Sequence, residues 1–495
     1  MSVLQEVLSV FRTRFVQTIA IIGLFVWRAA LEVNHRWALT DFDVWWHARV
    51  GSWILHNRVF PRTALFSRFG DNRSWAAYSW GFEVVASKMI DWFGIAGLCL
   101  LLIVANFAIV YALITVLQKL SGSFWTGWLL TIACFLAVGA NCGIRPGLWT
   151  IFSYTIELGL LITARRSRSV SPLFGLPALF LVWANIHIQF TYGLAVLGLF
   201  VLDTILAHIA SVQKWGWGAD DGALPLKPVL AICVASLIST LISPYTWHLY
   251  EIALVYARNQ HLYDQITELF ALNFRIYPHY LQLLIFGAGC LAAGWRRYRS
   301  LFPYALLALT GVVAFRAARD GWYVCMSSLA IIADARYRAC VEESERDDPR
   351  SVWLQRAVIT CFALVILAVS MQQFKHLPLE AEIAEQFPLK AARFVEQSHL
   401  SGPLYNNLNW GGFLIWALPD LPVAIDGRTD LYGQDYSDRY FGLLYGWTNP
   451  SEDPDIRGAK TALLDKRFPL TTELRNDPSW VPVYEDKLAI VLVRR

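Results

Sequence analysis

The chain has 495 residues, of which 56% are hydrophobic and only 16% are charged. A composition this apolar excludes an ordinary soluble domain and predicts a polytopic membrane protein, because a helix needs ~20 mostly apolar residues to cross a bilayer. The formal net charge of +4 is too small to indicate nucleic acid as a partner. The basic residues lie in short clusters between the apolar runs, where they report membrane topology instead.

About eleven apolar runs are candidate membrane spans, of which the shorter ones satisfy the length criterion least well. In chain order they are residues 15–35, 95–118, 123–141, 147–164, 172–186, 190–210, 226–243, 278–295, 301–316, 320–335 and 353–372. Residues 1–372 are therefore predicted to form a transmembrane domain with a first outer loop at 36–94. Residues 373–495 are predicted to form a separate domain.

The short basic loops predict the orientation of these spans. The basic clusters are RTR (12–14), ARRSR (164–168), WRRYR (295–299) and DARYR (334–338). If the spans alternate in the order given, all four clusters fall on one side, which the positive-inside rule identifies as the cytoplasm. The N-terminus is then cytoplasmic. The segments predicted on the extracytoplasmic side are 36–94, 142–146, 185–190, 244–277, 316–320 and everything after about 372.

Unusual polar motifs are concentrated on the predicted outer side. They are TDFDVWWH (40–47), GIRPG (143–147), WANIHIQF (183–190), SPYTWHLY (243–250), FRAARD (315–320), NNLNWGG (406–412) and AIDGRTD (424–430). The segments predicted on the cytoplasmic side carry no comparable motif. Polar chemistry on one face of the membrane indicates a functional site at the outer boundary of the bilayer.

From about Leu377 the composition becomes that of a soluble domain, with frequent Pro, Asp, Asn and Gly. Strands are predicted at GPLYNN, PVAIDG, KTALLD and VPVYEDKLAIVLV, and a helix at LKAARFVEQ. The predicted fold class is therefore a polytopic α-helical membrane protein of about eleven transmembrane helices, with a small extracytoplasmic α/β domain at its C-terminal end.

The stretch TDFDVWWH has both a structural and a chemical interpretation. Thr40 and Asp43 match a helix capping box, and the apolar spacing after them predicts an amphipathic helix in the membrane interface that ends before Pro61. A cap needs only one side-chain oxygen, whereas Asp41, Asp43 and His47 all fall within two helical turns. Because Asp43 and His47 are i and i+4, we expect the three side chains to converge beside the lipid.

The same residues resemble a known enzyme family. The string DFDVWWH is similar to the D-[FY]-[DE]-x-x-x-H motif of dolichol-linked glucosyltransferases, a branch of the GT-C glycosyltransferases in which the first Asp acts as base. The wider frame of D-x-D-x-WWH, RPG, W-A-N-x-H, S-P-Y, WGG and IDGR also resembles a large group of bacterial membrane proteins of unassigned activity placed near GT-C enzymes. This second resemblance covers nearly the whole chain. It implies a GT-C-like fold and a polyprenyl phosphate carrier, without fixing a substrate.

Asp41 is the expected general base, because attack by an acceptor hydroxyl on an anomeric carbon needs a carboxylate to take the proton. Asp43 and His47 would orient Asp41. Alternatively, all three would bind a divalent cation such as Mg²⁺ or Mn²⁺, although two carboxylates are a weak metal signature. No other cofactor is indicated.

Arginines are the expected ligands of the carrier phosphate, because the planar guanidinium matches phosphate oxygens and stays charged in a site of low dielectric constant. The candidates are Arg145, Arg316 and Arg319, which topology places at the outer membrane boundary. The alternative is that each is a terminal arginine whose side chain reaches to the interface.

Four further residues are candidates for substrate binding. Asn185 and His187 could bind sugar hydroxyls or a phosphate, and an interhelical hydrogen bond is an equal alternative. Trp410 and Arg428 would contribute to donor or acceptor binding if the C-terminal domain folds over the cavity. The alternative for Arg428 is a turn with an internal Asp–Arg ion pair.

The sequence favours a glycosyltransferase of the bacterial inner membrane that works in cell-envelope glycan biosynthesis. Its donor would be a polyprenyl-phosphate-linked sugar, and its acceptor a glycan, lipid or protein at the extracytoplasmic face. A lipid or glycan transporter or flippase is an alternative, but it predicts polar residues at mid-membrane, and the chain has few mid-span charges. A non-catalytic assembly protein is a further alternative, which predicts no outward cavity lined by Asp41 and the arginines.

Overall fold

The computed structural model describes residues 3–68, 73–138, 143–212, 224–258, 267–337 and 349–495. Residues 69–72, 142 and 259–266 belong to the predicted outer segments, residues 139–141 to the predicted span 123–141 and residue 338 to the DARYR cluster. All of them lie outside the described residues.

Helices make up most of the chain up to residue 376. They are α1 (Val3–His35), α2 (Trp37–Thr40), α3 (Val44–Asn57), α4 (Trp80–Phe93), α5 (Ala96–Ser121), α6 (Phe124–Val138), α7 (Gly147–Ser167), α8 (Leu176–Ala184), α9 (Phe190–Val212), α10 (Leu226–Thr240), α11 (His248–Arg258), α12 (Tyr277–Arg296), α13 (Phe302–Arg316), α14 (Gly321–Arg336) and α15 (Pro349–His376). Short 3₁₀ helices lie at Ser171–Gly175, Thr267–Leu269 and Ala318–Asp320.

A helix is observed over each of the eleven candidate spans. Among the described residues, five helices are long and apolar enough to cross a membrane: Thr13–His35, Ala96–Ser121, Gly147–Ser167, Phe190–Ala210 and Arg350–His376. The apolar helices α6, α10 and α13 have only 15 residues each, which is shorter than a bilayer normally requires. The number of membrane spans therefore stays a prediction.

The helix bundle has two chemically different ends. Helix α7 has 21 residues and is ~30 Å long. Arg145 lies just before its first turn, and the ARRSR cluster lies at its last turn. Arg166 of that cluster donates hydrogen bonds to the carbonyls of Lys119 and Leu120 and pairs with Asp334 at the end of α14. The hydroxyl of Tyr298 in WRRYR also donates to Asp334, at 2.6 Å, so three of the four basic clusters meet at one end of the bundle, and Arg145 lies at the other.

The predicted capping box of Thr40 and Asp43 would start a helix directly after Thr40, but helix α3 begins at Val44, and its surroundings also differ from those expected of an interfacial helix. The cap is the Oδ1 atom of Asp41, which accepts from the backbone N–H groups of Asp43 at 2.9 Å and Val44 at 3.2 Å, rather than the Thr40 hydroxyl. The Trp45 side chain is fully buried. Its ring contacts are Phe387, Phe413 and Trp416. The C-terminal residues therefore cover a face that composition alone assigned to lipid.

The C-terminal residues combine helices with one mixed sheet. The strands are β1 (Leu404–Asn406), β2 (Thr461–Asp465), β3 (Trp480–Glu485) and β4 (Ala489–Arg494), in the order β1-β2-β4-β3, with β1 and β2 parallel and the other pairs antiparallel. The helices are α16 (Leu379–Gln386), α17 (Leu389–Gln397), α18 (Leu408–Ala417), α19 (Thr429–Tyr432), α20 (Gln434–Leu444), α21 (Pro454–Gly458) and α22 (Pro469–Asn476). Helix α17 coincides with the predicted LKAARFVEQ helix.

The prediction of a strand at PVAIDG is wrong. Val423 makes only isolated bridges, one to Leu404 and one to Ser67 of the first loop. Its N–H donates to the carbonyl of Phe66 at 2.9 Å, and its carbonyl accepts from the N–H of Arg68 at 3.0 Å. The segment pairs with the first loop instead of joining the sheet, and this pairing fixes the C-terminal residues beside TDFDVWWH.

Candidate active site

The loop before α7 lies directly against the carboxylate of Asp41. The Nε atom of Arg145 donates to Oδ2 of Asp41 at 2.7 Å. At position 143 a Cβ would overlap the same Oδ2 atom, so any larger residue there would force the Asp41 carboxylate to shift. Asp41 is buried, and both of its oxygens are engaged, Oδ1 by the cap of α3 and Oδ2 by Arg145.

Arg145 is shared among three carboxylates. Its Nη1 atom donates to Oε2 of Glu268 at 2.6 Å, and its Nη2 atom lies 3.6 Å from Oδ2 of Asp43, while Nε holds Asp41. Burial lowers the pKa of this guanidinium, but the three negative charges outweigh burial and raise the pKa well above its ordinary value. Arg145 therefore stays charged, and each edge of its planar fork faces a different acid.

Asp43 is the more accessible of the two aspartates. Its side chain is 25% exposed, against 4% for Asp41. The indole N–H of Trp46 donates to its Oδ1 atom at 3.1 Å. Burial, together with the charges of Asp41 and Glu268, raises the pKa of Asp43 to about 6, although Arg145 opposes the shift. A carboxylate with this pKa can exchange a proton near neutral pH.

Glu268 and Arg319 complete the cluster. Oε1 of Glu268 lies 3.8 Å from Nη1 of Arg319, so Glu268 lies between the two arginines. Sequence reasoning missed Glu268, because it belongs to no recognised motif. The available signal was its place in the predicted outer loop 244–277, on the same side as Asp41. Five charged groups from four separate segments thus meet: Asp41, Asp43, Arg145, Glu268 and Arg319.

His47 does not join this cluster. Its Nδ1 atom lies 3.2 Å from Oε1 of the buried Glu83 on α4. Burial, and then the positive surroundings, lower the pKa of His47 well below its ordinary value, while burial raises the pKa of Glu83. The ring of Trp46 lies 3.6 Å from that of His47, between centroids. His47 therefore supports Trp46, which in turn holds Asp43. Its imidazole faces Glu83, whereas the i, i+4 spacing predicted that it would converge with Asp43 and Asp41.

The donor set does not fit a metal ion held by Asp41, Asp43 and His47. The described residues include no group of three or more His, Cys, Asp or Glu side chains placed to hold one. The imidazole faces Glu83, and the guanidinium of Arg145 already lies against both aspartates.

The two candidates in WANIHIQF have different surroundings. The side-chain amide of Asn185 accepts from the indole of Trp80 at 2.9 Å and donates to the carbonyls of Leu181 and Ile242, which matches the structural alternative. The Nδ1 atom of His187 lies 2.8 Å from the Thr150 hydroxyl. Burial, helped by the positive charge of Arg319, lowers the pKa of His187 to about 3, so it is neutral at physiological pH. His187 lies against the GIRPG loop, where its ring approaches Gly147.

Arg428 is a buried structural residue. Its Nε and Nη2 atoms donate to the two oxygens of Asp426 at 2.8 and 2.7 Å, and Nη2 also donates to the carbonyl of Leu65 at 2.7 Å. This is the internal ion pair that the alternative interpretation describes. Between the two members of the pair, Gly427 packs so closely on Asp43 that a Cβ would overlap its Oδ1 atom. The DGR turn therefore forms one wall of the site.

The two remaining candidates are Trp410 and Arg316. The indole of Trp410 is buried and donates to the carbonyl of Gln386 at 3.1 Å, which is a packing role. Arg316 is exposed at the C-terminal end of α13. A role for Arg316 in binding the carrier phosphate stays a prediction.

No family model matches this chain, and no curated protein matches it. Among solved structures it is similar to ArnT from Cupriavidus metallidurans bound to undecaprenyl phosphate, with a TM-score of 0.50 and 14% identity over 95% of this chain and 97% of that one. It is also similar to the oligosaccharyltransferase of Archaeoglobus fulgidus in the apo form, with a TM-score of 0.54 and 11% identity over 90% and 69% of the two chains. These likenesses support a GT-C-like fold. The five long apolar helices among the described residues support a membrane location.

Proposed function

We propose that this chain is a glycosyltransferase that transfers a sugar from a polyprenyl-phosphate-linked donor to a glycan, lipid or protein acceptor. The single observation that carries the proposal is the position of Arg145 beside Asp41 and Asp43 at one end of the bundle, with Arg319 joined to Arg145 through Glu268. This arrangement joins a proton acceptor to cations that can hold a phosphate. The undecaprenyl phosphate in the ArnT structure supports a polyprenyl carrier.

The transfer needs a base for the acceptor. The acceptor hydroxyl gives its proton to a carboxylate, and its oxygen forms a bond to the anomeric carbon. Both oxygens of Asp41 are engaged, whereas Asp43 is partly exposed and has a pKa of about 6. Of the two aspartates the geometry therefore favours Asp43 as the general base, with Asp41 positioning Arg145. This reverses the order of roles that the motif alone implied.

The leaving group needs fixed positive charge. As the bond from the anomeric carbon to the phosphate oxygen breaks, the electron pair stays on that oxygen, and Arg145 and Arg319 stabilise the charge that develops. Arginine is suited to this role because two N–H groups can contact two phosphate oxygens at once. The neutral His187, beside the GIRPG loop, could accept a hydrogen bond from the sugar or donate one to it.

The proposed location is the extracytoplasmic face of the bacterial inner membrane. The basic clusters gather at the end of the bundle remote from Asp41, and the positive-inside rule assigns such an end to the cytoplasm. A purely structural assembly protein would not require five charged groups to converge in this way, so the cluster favours an enzyme over that alternative.

The test uses purified protein in nanodiscs, a polyprenyl-phosphate-linked sugar and acceptor extracts from bacterial envelopes. We expect Asp43→Asn to lower transfer at least 100-fold, as for loss of a general base. Asp91→Asn, which removes an exposed aspartate paired with Lys88 on α4, is the matched control and should be as active as wild type. Equal transfer by wild type and Asp43→Asn would reject Asp43 as the general base. No transfer by wild type with any polyprenyl-linked donor would reject the proposed activity.

A further inference from the structure

We propose that the carboxylate of Glu268 holds the position between Arg145 and Arg319 that the carrier phosphate takes on binding, so that the phosphate binds by displacing it. The inference rests on the proposed function. If it holds, Glu268 sets both the affinity of the site for its donor and the selectivity of the site for anionic carriers.

The position of Glu268 between the two arginines has the form of an oxyanion site. One oxygen of Glu268 lies 2.6 Å from Nη1 of Arg145, and the other lies 3.8 Å from Nη1 of Arg319. A phosphate presents oxygens with similar spacing, and guanidinium forks bind both kinds of group. The Nε atom of Arg145 remains with Asp41 in this exchange, because it points along a different edge of the fork.

The exposed fractions of the side chains indicate which contact can exchange. Glu268 is 38% exposed and Arg319 is 41% exposed, whereas Asp41 is only 4% exposed. An anion that enters the site therefore reaches the Glu268 contacts before it reaches Asp41. Ion pairs exposed to this degree are weak, because water screens both charges, so the carboxylate can be displaced at low cost.

The backbone that follows Glu268 is hydrogen-bonded to the segment that carries Arg319, so the exchange needs only a rotation of the Glu268 side chain. The carbonyl of Phe270 accepts from the N–H of Ala318 at 2.8 Å, and the N–H of Leu272 donates to the carbonyl of Phe315 at 3.3 Å. Leu269 is buried next to Ala317. Glu268 and Arg319 therefore sit on two segments that are tied together, which keeps the carboxylate facing the arginines.

The displacement model predicts a difference between charged and uncharged carriers. Undecaprenyl phosphate must compete with Glu268 for the two arginines, whereas undecaprenol carries no charge and gains nothing from the exchange. In Glu268→Gln the competing charge is absent and the side-chain volume is retained. Affinity for the phosphate should rise, and affinity for the alcohol should stay the same.

The experiment measures binding of undecaprenyl phosphate and of undecaprenol to the full-length protein in nanodiscs. We expect Glu268→Gln to lower the dissociation constant for the phosphate on the order of fivefold and to leave that for undecaprenol unchanged. Glu485→Gln is the matched control, because Glu485 also contacts two cations, Lys466 and Arg475, but lies on β3 in the C-terminal sheet. A phosphate affinity that is unchanged or weaker in Glu268→Gln would overturn the displacement model.

Arg319→Gln separates failure of this inference from failure of the proposed function. If wild type prefers the phosphate to the alcohol and Arg319→Gln loses that preference, while Glu268→Gln has no effect, only the role of Glu268 is rejected. If wild type has no preference for the phosphate and Arg319→Gln binds like wild type, both the carrier and the inference are rejected. Equal melting temperatures of the variants would establish that each one is folded.

Discussion

The Nε atom of Arg145 lies 2.7 Å from the Oδ2 atom of Asp41, although the two residues are 104 positions apart in the chain. The contact joins the loop that precedes α7 to the residue that caps α3. It therefore couples the start of a long apolar helix to the first polar segment after α1. Among the contacts described above, Arg145 is the only cation beside Asp41. A movement of either element that breaks this contact therefore leaves the Asp41 carboxylate without a positive charge beside it.

Replacement of Arg145 by lysine should weaken binding of the carrier phosphate even though the charge is kept. An ammonium group cannot contact three carboxylates along three edges as the guanidinium does, so at least one of the acids loses its partner and repels the phosphate. We expect the dissociation constant for undecaprenyl phosphate to rise about tenfold.

Arg439→Lys is the control for this change. Arg439 also bridges two carboxylates, Asp453 and Asp455, and it is exposed to a similar degree, but it lies on α20 away from the site. Its replacement should leave binding unchanged. Equal affinities in wild type and Arg145→Lys would show that shape recognition by the guanidinium is not needed.

The pKa of Asp43 predicts how transfer depends on pH. Burial, with help from Asp41 and Glu268, raises this pKa to about 6, so the general base is protonated and inactive at lower pH. Transfer should therefore fall about tenfold per pH unit below that value and reach a plateau above it. In Glu268→Gln the acidic limb of the pH–rate profile should move to lower pH, because the substitution removes one negative charge that disfavours the ionised form of Asp43. A limb at the same pH in both proteins would contradict the electrostatic coupling.

The sequence predicts that Asp41 and Arg145 lie close together, because the alternation of apolar runs and the positive-inside rule place both residues on the same side, directly beside predicted span ends. The sequence does not predict the partner of His47. Glu83 faces His47 because α3 and α4 pack closely where Gly51 has no side chain, and no periodicity in either segment specifies that register.

The same limit explains the error at PVAIDG. The composition of this segment is that of a strand, but its backbone pairs with Phe66 and Arg68 of a loop more than 350 positions earlier. Strand propensity says nothing about which distant segment supplies the partner. Glu268 was missed for a related reason, since a carboxylate that belongs to no motif acquires its significance only when two arginines lie beside it.

Replacement of Gly427 by alanine should impair catalysis more than binding. A Cβ at this position would overlap Oδ1 of Asp43, so the carboxylate must shift away from Trp46 and from its position in the site. Misplacement of a catalytic group by a fraction of an ångström to 1 Å can cost up to about 100-fold in rate. We expect kcat to fall about 10- to 100-fold while KM for the donor changes little.

Gly198→Ala provides the matched control for the glycine replacement. Gly198 lies in α9 with nothing within 4 Å of the position its Cβ would take, so alanine should be tolerated there and should slightly favour the helix. Steady-state kinetics of both variants test this prediction by comparing their kcat and KM with those of wild type. A Gly427→Ala enzyme with wild-type kcat would mean that the DGR turn does not constrain Asp43.

Two Asp-x-Arg ion pairs among the described residues have the same local geometry and different burial. Arg428 pairs with Asp426 and is 1% exposed, whereas Arg467 pairs with Asp465 and is 77% exposed. Removal of one partner from a buried pair leaves an uncompensated charge and costs about 3–5 kcal/mol, whereas an exposed pair contributes about 0–1 kcal/mol. We expect Arg428→Gln to lower the unfolding free energy by about 3–5 kcal/mol and Arg467→Gln by less than about 1 kcal/mol. Similar losses in both variants, measured by denaturant titration, would contradict this assignment.

His187 should make stability fall as the solution becomes acidic. Its pKa is about 3 in the folded protein, mainly because of burial, against 6.5 when unperturbed, so below pH 6.5 the unfolded state binds the proton and the folded state does not. From pH 7.5 to pH 5 the wild type should lose about 2 kcal/mol through this group, and His187→Gln should not. His376→Gln, which removes an exposed histidine at the end of α15, is the control and should keep the wild-type pH dependence. Parallel pH profiles of unfolding free energy for wild type and His187→Gln would mean that the imidazole can take up a proton in the folded site, and would leave it free to act as an acid near the GIRPG loop.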